Sequence, residues 1–321
     1  MPKISVIICT YNRCVSIKAL LERLLTQEAA PDHEVMVVDN NSNDSTKDAV
    51  EPYIAKFKGR LRYLFEPRQG KPFALNLGIK ESRGEILAFT DDDCLVEKDH
   101  LAQVSKVFQE SGIDFMGGKI LPRWVGGECP SWISEVISDK TNYEISNEHY
   151  WRRIFFRGPL AILDYGEKPF RVDSAQKFCT SFLFYGPNMA VKKAAFDKVG
   201  GYDPKRFITQ DTEICLRLIR LGMKGLYAPH VKVYHRVQAA EVTPEFYCRW
   251  YFERGKFLET NGMIKKKFYH PLGVQNALIL KTCVLFLRSV AAPSVHDKVH
   301  YRCQTLFNLA QMGQIIKKNI I

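Results

Sequence analysis

Apolar and polar residues are grouped in blocks whose spacing changes along the chain, and the blocks predict the elements. Residues 4–9, ISVIIC, are a short β-rich run. From Ser16 to Gln27 the apolar positions Ile17, Leu20, Leu21, Leu24 and Leu25 recur at steps of three and four, which is helical spacing. EVMVVD, ending at Asp39, reads as a second buried strand. NNSNDST follows as a turn with several N-cap residues, then a helix near 46–57. LRYLFE at 61–66 is a third strand, and a helix containing Phe73, Ala74, Leu77 and Ile79 leads to a fourth, EILAFTDDD. The strands are continuously apolar rather than alternating. With helices between them, they predict an α/β fold whose mostly parallel sheet is covered on both faces.

From 112 to 185 no period is clear. Regular signals return with FLFYGPNMAV as a strand, AAFDKVGGYD as a helix, a helix over 212–221 closed by Gly222, and a last strand GLYAPHVKVYHRV. After Val242 the composition turns aromatic and basic. The expected organisation is a domain over 1–242, with a nucleotide-binding half (1–111) and an acceptor-side half (112–242), followed by a mostly helical tail over 243–321.

In parallel sheets ligands bind beyond the carboxyl ends of the strands. Thr10-Tyr11-Asn12, Asp39-Asn40-Asn41 and Asp91-Asp92-Asp93 all stand at such ends, so three distant segments converge on one edge. If strand geometry persists through the aspartates, Asp91 and Asp93 share one side and Asp92 points to the other. Two carboxylates on one side suit Mg²⁺ or Mn²⁺, ions that complete their shells with water and substrate phosphates. The bland alternative is a solvated acidic loop.

Composition narrows the class further. The 321 residues are 46% hydrophobic and 25% charged, ordinary for a folded chain able to bury a sizeable core. Nine cysteines contain no C-x-x-C pair, which argues against a zinc ribbon and suits reduced thiols in the cytoplasm. The N-terminus has no signal-peptide pattern. The net charge is +11; from Phe246 onward 12 Lys/Arg face 3 Asp/Glu, leaving only +2 for the rest. A basic tail suits an anionic surface. No nucleic-acid-binding motif accompanies it, so nucleic acid is not expected as a partner.

Six segments, in order, resemble the family 2 glycosyltransferases with the GT-A fold, of the type that builds bacterial polysaccharides and glycolipids. They are SVIICTYNR (5–13), EVMVVDNNSNDST (34–46), RQGKPFALNLGI (68–79), GEILAFTDDDC (84–94), GPNMAVKKAAFDKVGGYDP (186–204) and TQDTEICLRLIRLG (209–222). The resemblance implies inverting transfer of a sugar from a nucleotide-diphosphate donor, UDP-linked by preference with dTDP or GDP as alternatives, to a saccharide or lipid-linked acceptor. It implies that Thr10, Tyr11 and Asn12 line the base pocket and that Asp39 accepts a hydrogen bond from the base. Arg68 and Lys71 would contact base or phosphates. Asp91 and Asp92 would lie at the ribose or donor sugar, with Asp93 as metal ligand assisted by Asp91. Asp211 would be the catalytic base, where Gln210 replaces the first member of the family's usual acidic pair. Asn188 and Gln210 would face the donor sugar or acceptor, and His235 is a further metal-ligand candidate.

Structural readings stand beside these. Asp39 can cap its turn, Asp211 can cap its helix, and Asn188 can satisfy backbone. Lys71 can be solvated, and His235 can be an ordinary strand histidine. Asn76 reads as a clamp to a neighbouring loop rather than as a ligand contact.

In the tail, Phe246-Tyr247-Cys248-Arg249-Trp250 matches only part of the Q-x-x-R-W of processive synthases, which argues against processivity. The run Phe268 to Leu280 is charge-free for 13 residues, short of the roughly 20 a membrane span needs. Flanked by Lys265–Lys267 and interrupted by Lys281 and Arg288, this region reads as a helix on an anionic membrane surface, and the chain as cytoplasmic or peripheral on the inner face. The alternative is a basic packing domain.

Two other functional classes compete. A silent nucleotide-sugar scaffold would not need Asp91, Asp93 and Asp211 together. A nucleotidyltransferase would open on a Gly-rich phosphate loop, which ICTYNR does not supply.

Overall fold

The computed structural model describes residues 3–138, 157–172, 184–205, 210–260 and 273–320. Its sheet begins with four parallel strands, β1 (Ile4–Thr10), β2 (His33–Asp39), β3 (Leu61–Phe65) and β4 (Ile86–Asp91), in the spatial order β3-β2-β1-β4. They are joined by α1 (Ser16–Leu25), α2 (Thr46–Lys56) and α3 (Lys71–Glu81), as crossovers between parallel strands require. Successive residues of β1 enter opposite cores. Ile4, Val6 and Ile8 pack with Leu20, Leu21 and Leu24 of α1 and Val50 of α2, whereas Ile7 and Cys9 pack with Ala74 and Leu75 of α3. Burial on both faces is why β1, β2 and β4 carry nearly continuous apolar runs, whereas the edge strand β3 is only partly buried. A Cβ on Gly78 would lie 2.6 Å from Ile7 Cγ2, so only glycine lets α3 sit this close to the sheet.

Past β4 the sheet becomes antiparallel, a departure from the expected parallel order. Next come β5 (Cys94–Val96), α4 (His100–Ser111), β6 (Phe115–Val125), α5 (Ser131–Ser138), β7 (Phe170–Val172) and β8 (Met189–Lys192). They are followed by α6 (Lys193–Val199), α7 (Gln210–Arg220) and β9 (Gly225–Gln238). The spatial order continues β4-β8-β6-β9-β5, with β7 on β9. The stretch expected as irregular thus contains a long strand, β6. Its Gly117-Gly118 pair is a packing device: a Cβ there would fall 2.3 Å from Phe184 or from Asn188 Nδ2. The expected strand FLFYGPNMAV is shorter. Phe184 and Tyr185 precede a 3-10 turn over Gly186–Asn188, and β8 starts at Met189; Phe182 and Leu183 lie outside the described residues.

The chain divides into two compact units. The first holds β1 through α4, and the chain from Ala161 to Arg236. The second holds α5 and everything from Val237 on, chiefly α8 (Pro244–Thr260), α9 (Gly273–Ala291) and α10 (Val295–Ile320). Within it α10 packs against both α8 and α9, and Trp132 of α5 meets Tyr247 of α8 edge-on at 5.4 Å. Lys265–Lys267, residues 268–272 and the side chains of 273–280 lie outside the described residues. No helix among the described residues is long and apolar enough to cross a membrane.

Candidate functional site

Strand register assembles the site. Thr10 is level with Asp39, and Cys9 with Asp91, so β1, β2 and β4 end flush. The loops after β1 and β2 are stitched together. The Asn12 N–H donates to Ser42 Oγ at 2.9 Å, and Asn12 Oδ1 accepts from the Asn43 N–H at 2.9 Å. The Arg13 N–H donates to Thr46 Oγ1 at 3.0 Å. Asn12 adopts φ +52°, a left-handed conformation that asparagine tolerates better than most residues. Tyr11 stands beside this lock, 45% exposed.

Asp39 is buried, and both its oxygens are engaged. Oδ1 accepts the Ser42 N–H at 2.8 Å and Oδ2 accepts the Tyr63 hydroxyl at 2.5 Å. Asn40, placed at the edge by the sequence but given no role of its own there, organises the next loop. Its amide donates to the Glu66 and Arg68 carbonyls at 3.3 and 2.7 Å, and its Oδ1 accepts the Gly70 N–H at 2.7 Å. Gly70 precedes α3 with φ +135°, where a side chain would be strained. Arg68 is gripped by Glu66 through two bonds of 2.8 and 2.9 Å, and its guanidinium lies 4.8 Å from the Phe73 ring centre. Glu66 was missed because nothing in the pattern distinguishes it from an ordinary strand-end acid.

β4 ends at Asp91, and Asp92 and Asp93 form a turn before β5. Strand geometry therefore does not persist through the aspartates; Asp91 and Asp93 are partly exposed and Asp92 is buried because of the turn. The outer pair takes different partners. Lys71 donates to Asp91 Oδ1 at 2.6 Å. Burial alone would lower the Lys71 pKa, but Asp91 and Asp211 hold it well above the usual lysine range. Asp93 Oδ1 lies 3.4 Å from His235 Nε2, and Arg13 is 3.9 Å from Oδ2. Pairing of β5 with β9 sets Cys94 opposite His235 and so brings the histidine to Asp93. Burial opposes ionisation of Asp93, yet His235 and the cations Arg13 and Lys71 hold its pKa below the ordinary value. Burial pushes Asp92 up to about 7, against the pull of the Thr10 hydroxyl and Arg13.

Among the described residues no three His, Cys, Asp or Glu side chains form a cage for an ion. Asp93 and His235 nevertheless present one carboxylate oxygen and one imidazole nitrogen to each other, a mixed donor pair that fits Mn²⁺ better than the oxygen-seeking Mg²⁺ when phosphate and water fill the remaining positions.

Asp211 enters from the other half of the unit, on the first turn of α7. Its Oδ2 accepts the Gly186 N–H at 2.9 Å, while Oδ1 is buried without a hydrogen-bond partner among the described residues. Burial raises its pKa, and Lys71 and the Gly186 N–H restrain the rise. The upward pressure lost with an acid at position 210 is therefore supplied by burial. A Cβ on Gly186 would come within 3.2 Å of Asp211 Oδ1, so the glycine gives this carboxylate its room. Gln210 is buried. Asn188 donates both amide hydrogens to backbone, to the Lys119 and Val231 carbonyls at 2.9 Å each, and ties β6 to β9. That is the backbone-satisfying role. Asn76 is the expected clamp: its amide donates to the Tyr202 carbonyl and accepts the Tyr202 N–H, both at 2.8 Å. Tyr202, unforeseen from sequence, sits on Phe89 and Phe196 beneath the edge.

The sequence pattern of Glycosyl transferase family 2 matches residues 5–200. Among curated proteins, the chain is 33% identical over 121 residues to glycosyltransferase AglE of Haloferax volcanii (37% of this chain, 40% of that one). It is 24% identical over 284 residues to the probable glycosyltransferase YdaM of Bacillus subtilis (84% and 57%). It is 30% identical over 238 residues to the GalNAc(5)-diNAcBac-PP-undecaprenol beta-1,3-glucosyltransferase of Campylobacter jejuni (63% and 72%). The chain thus spans about half the length of the first two. Among solved structures it resembles the mannosyltransferase PcManGT of Pyrobaculum calidifontis in complex with GDP-Man and Mn²⁺, with a TM-score of 0.60 at 20% identity, over 98% of this chain and 86% of that one. S. aureus TarS 1-349 in complex with UDP gives 0.50 at 17% identity, over 97% and 90%. These likenesses carry the fold. With the family pattern covering more than half its length, the chain belongs to glycosyl transferase family 2 and has the GT-A fold.

Proposed function

We propose that this chain moves a sugar from a nucleotide-diphosphate donor to a saccharide or lipid-linked acceptor, with inversion at the anomeric carbon. The observation that carries the reading is Asp211. One of its oxygens is fixed by the Gly186 N–H while the other is buried and unpartnered, on the edge where Asp91, Lys71 and Asp93 stand. A buried carboxylate with one open oxygen and a raised pKa is suited to general-base work. In the proposed step the acceptor hydroxyl oxygen bonds to the anomeric carbon. Its proton passes to Asp211 Oδ1, and the bond from that carbon to the diphosphate breaks with its electron pair leaving on the diphosphate.

Thr10, Tyr11 and the Asn12 loop would form the base pocket. Asp39, held in place by Ser42 and Tyr63, retains lone pairs to accept the imide N–H of uracil or thymine, which favours UDP or dTDP over GDP; of these UDP is the donor proposed. Lys71, drawn between Asp91 and Asp211, would neutralise phosphate charge, and Arg68 would flank the base. Asp91 and Asp92 would face ribose or sugar, and Gln210 the acceptor side. Asp93 and His235 would hold Mg²⁺ or Mn²⁺. Bound there, the ion supplies positive charge to the departing diphosphate. Support for a lipid-linked acceptor comes from the Campylobacter jejuni relative, whose name contains a PP-undecaprenol acceptor. Support for a nucleotide donor comes from the UDP and GDP-Man complexes of the structural neighbours.

The test is a thermal-shift panel of UDP, GDP, dTDP and CDP with and without Mn²⁺, followed by Asp211→Asn. A metal-dependent rise with UDP, kept in Asp211→Asn while transfer is lost, is the expected result. Full transfer by Asp211→Asn removes it as the base.

A further inference from the structure

Over residues 281–291, one side of the helix α9 is covered and the opposite side, which is apolar, is exposed. Thr282, Leu285 and Ala292 are buried, and with half-buried Ser289 they form a single seam. On the opposite side Val284, Phe286, Leu287 and Val290 are 40, 56, 65 and 66% exposed. At about 100° per residue, Phe286, Val290, Cys283, Leu287, Ala291 and Val284 follow one another around an arc of roughly 160°. That arc contains no charge. Lys281 and Arg288 are one heptad apart, fall together at its border beside Val284, and are both exposed. The Arg288 guanidinium lies 5.9 Å from the Tyr301 ring centre of α10, which holds the cation at that border.

A wide apolar arc left in water is costly, and patches of this kind mark contact surfaces. Two features point to lipid. The border charges are both positive, and the chain from Phe246 onward carries a net +9, which matches an anionic headgroup layer rather than an apolar protein groove. The helix is also too short in apolar length to span, so its exposed side can enter a bilayer only by lying in the plane of the surface. We propose that α9 docks flat on an anionic bilayer, with Phe286, Leu287 and Val290 among the acyl chains and Lys281 and Arg288 at the headgroups. The exposed arc, over 283–291, lies within the region whose sequence reads as a surface helix, in the part that follows Lys281. The inference does not depend on sugar transfer.

The test is flotation of the full chain with phosphatidylcholine vesicles, with and without phosphatidylglycerol. The wild type should float with the anionic vesicles and be released by high salt. Leu287→Glu/Val290→Glu should lower the bound fraction about tenfold or more. Its far-UV spectrum and melting temperature should be unchanged, because both positions are exposed. Leu287→Ser/Val290→Ser repeats the loss without added charge. Lys281→Glu/Arg288→Glu should cost about tenfold or more on anionic vesicles, at several-fold per cation, with little effect on neutral ones. Absence of wild-type flotation overturns the proposal, as does wild-type-like binding by both apolar variants. A dimer in sedimentation that Leu287→Glu/Val290→Glu dissolves, without flotation, would assign the face to a second copy and also overturn it.

Discussion

Asp92→Asn should make the protein more stable at neutral and alkaline pH, by an amount that depends on pH in a defined way. Burial raises the Asp92 pKa from 3.8 to about 7. Between those values the folded protein keeps a proton that the unfolded chain has released, so stability falls as pH rises through that window. The slope is about 1.4 kcal/mol per pH unit, and the loss levels off above pH 7 near 4 kcal/mol, an upper figure of about that order. Asparagine resembles the protonated carboxyl and has no proton to lose. The stability difference between Asp92→Asn and wild type should therefore be small near pH 4, grow through pH 5 and 6, and reach a plateau by pH 8. Urea denaturation of both proteins across that range, with EDTA present, measures it. Titrating groups remote from Asp92 are shared and cancel in the difference, while its neighbour Asp93, held below the ordinary carboxylate value, titrates below the window. A difference that does not change with pH would refute the reasoning, because it would mean that Asp92 ionises in the folded protein as easily as in the unfolded chain.

Further outcomes can be checked individually. Asp211→Asn should reduce transfer by about 10²–10⁴-fold while leaving the UDP-dependent thermal shift in place. Gly186→Ala should leave the fold intact but crowd Asp211 Oδ1, where the new methyl would stand at 3.2 Å; the expected result is a lower kcat with nearly unchanged donor binding. Asn76→Ala removes two 2.8 Å bonds to the Tyr202 backbone and strands that backbone's polar groups, at a cost of about 2–4 kcal/mol in chemical denaturation. Asp93→Ala and His235→Ala should each abolish the Mn²⁺-dependent part of the thermal shift with UDP, and an unchanged shift in both would place the ion elsewhere.

What was legible in the sequence follows from the range of each interaction. β1 to β4 and the helices between them were readable because burial on both faces of a parallel sheet writes an unbroken apolar run. The carboxyl-end residues followed from the same geometry. Asn76 was readable as a clamp from its place in a matched motif. β6 was hidden by Gly117, Gly118 and Pro122, which read as a turn when isolated from the Phe184 ring and Asn188 amide that demand them. The pairing of Asp93 with His235 was hidden too. It depends on β9 lying beside β5, and partners more than a hundred residues apart leave no local period. Arg68 looked free for a ligand because the grip of Glu66 depends on loop geometry set by Asn40.

The order of strands in the sheet also differs from the order in which they are made. β4 ends at Asp91, and its antiparallel neighbour β8 begins at Met189. At a synthesis rate of about 5–20 residues per second, roughly 5–20 s pass on the ribosome before that neighbour exists. During that time Ile86, Leu87, Ala88 and Phe89 form an unpaired, apolar strand edge of the kind that captures other chains. The parallel strands β1 to β4 are by then complete, so the growing chain passes through a stage with a formed half-sheet and one adhesive margin. Yield in a cell should therefore depend on how quickly residues 92–192 are translated and on whether a holding chaperone covers that margin, more than on the stability of the finished protein.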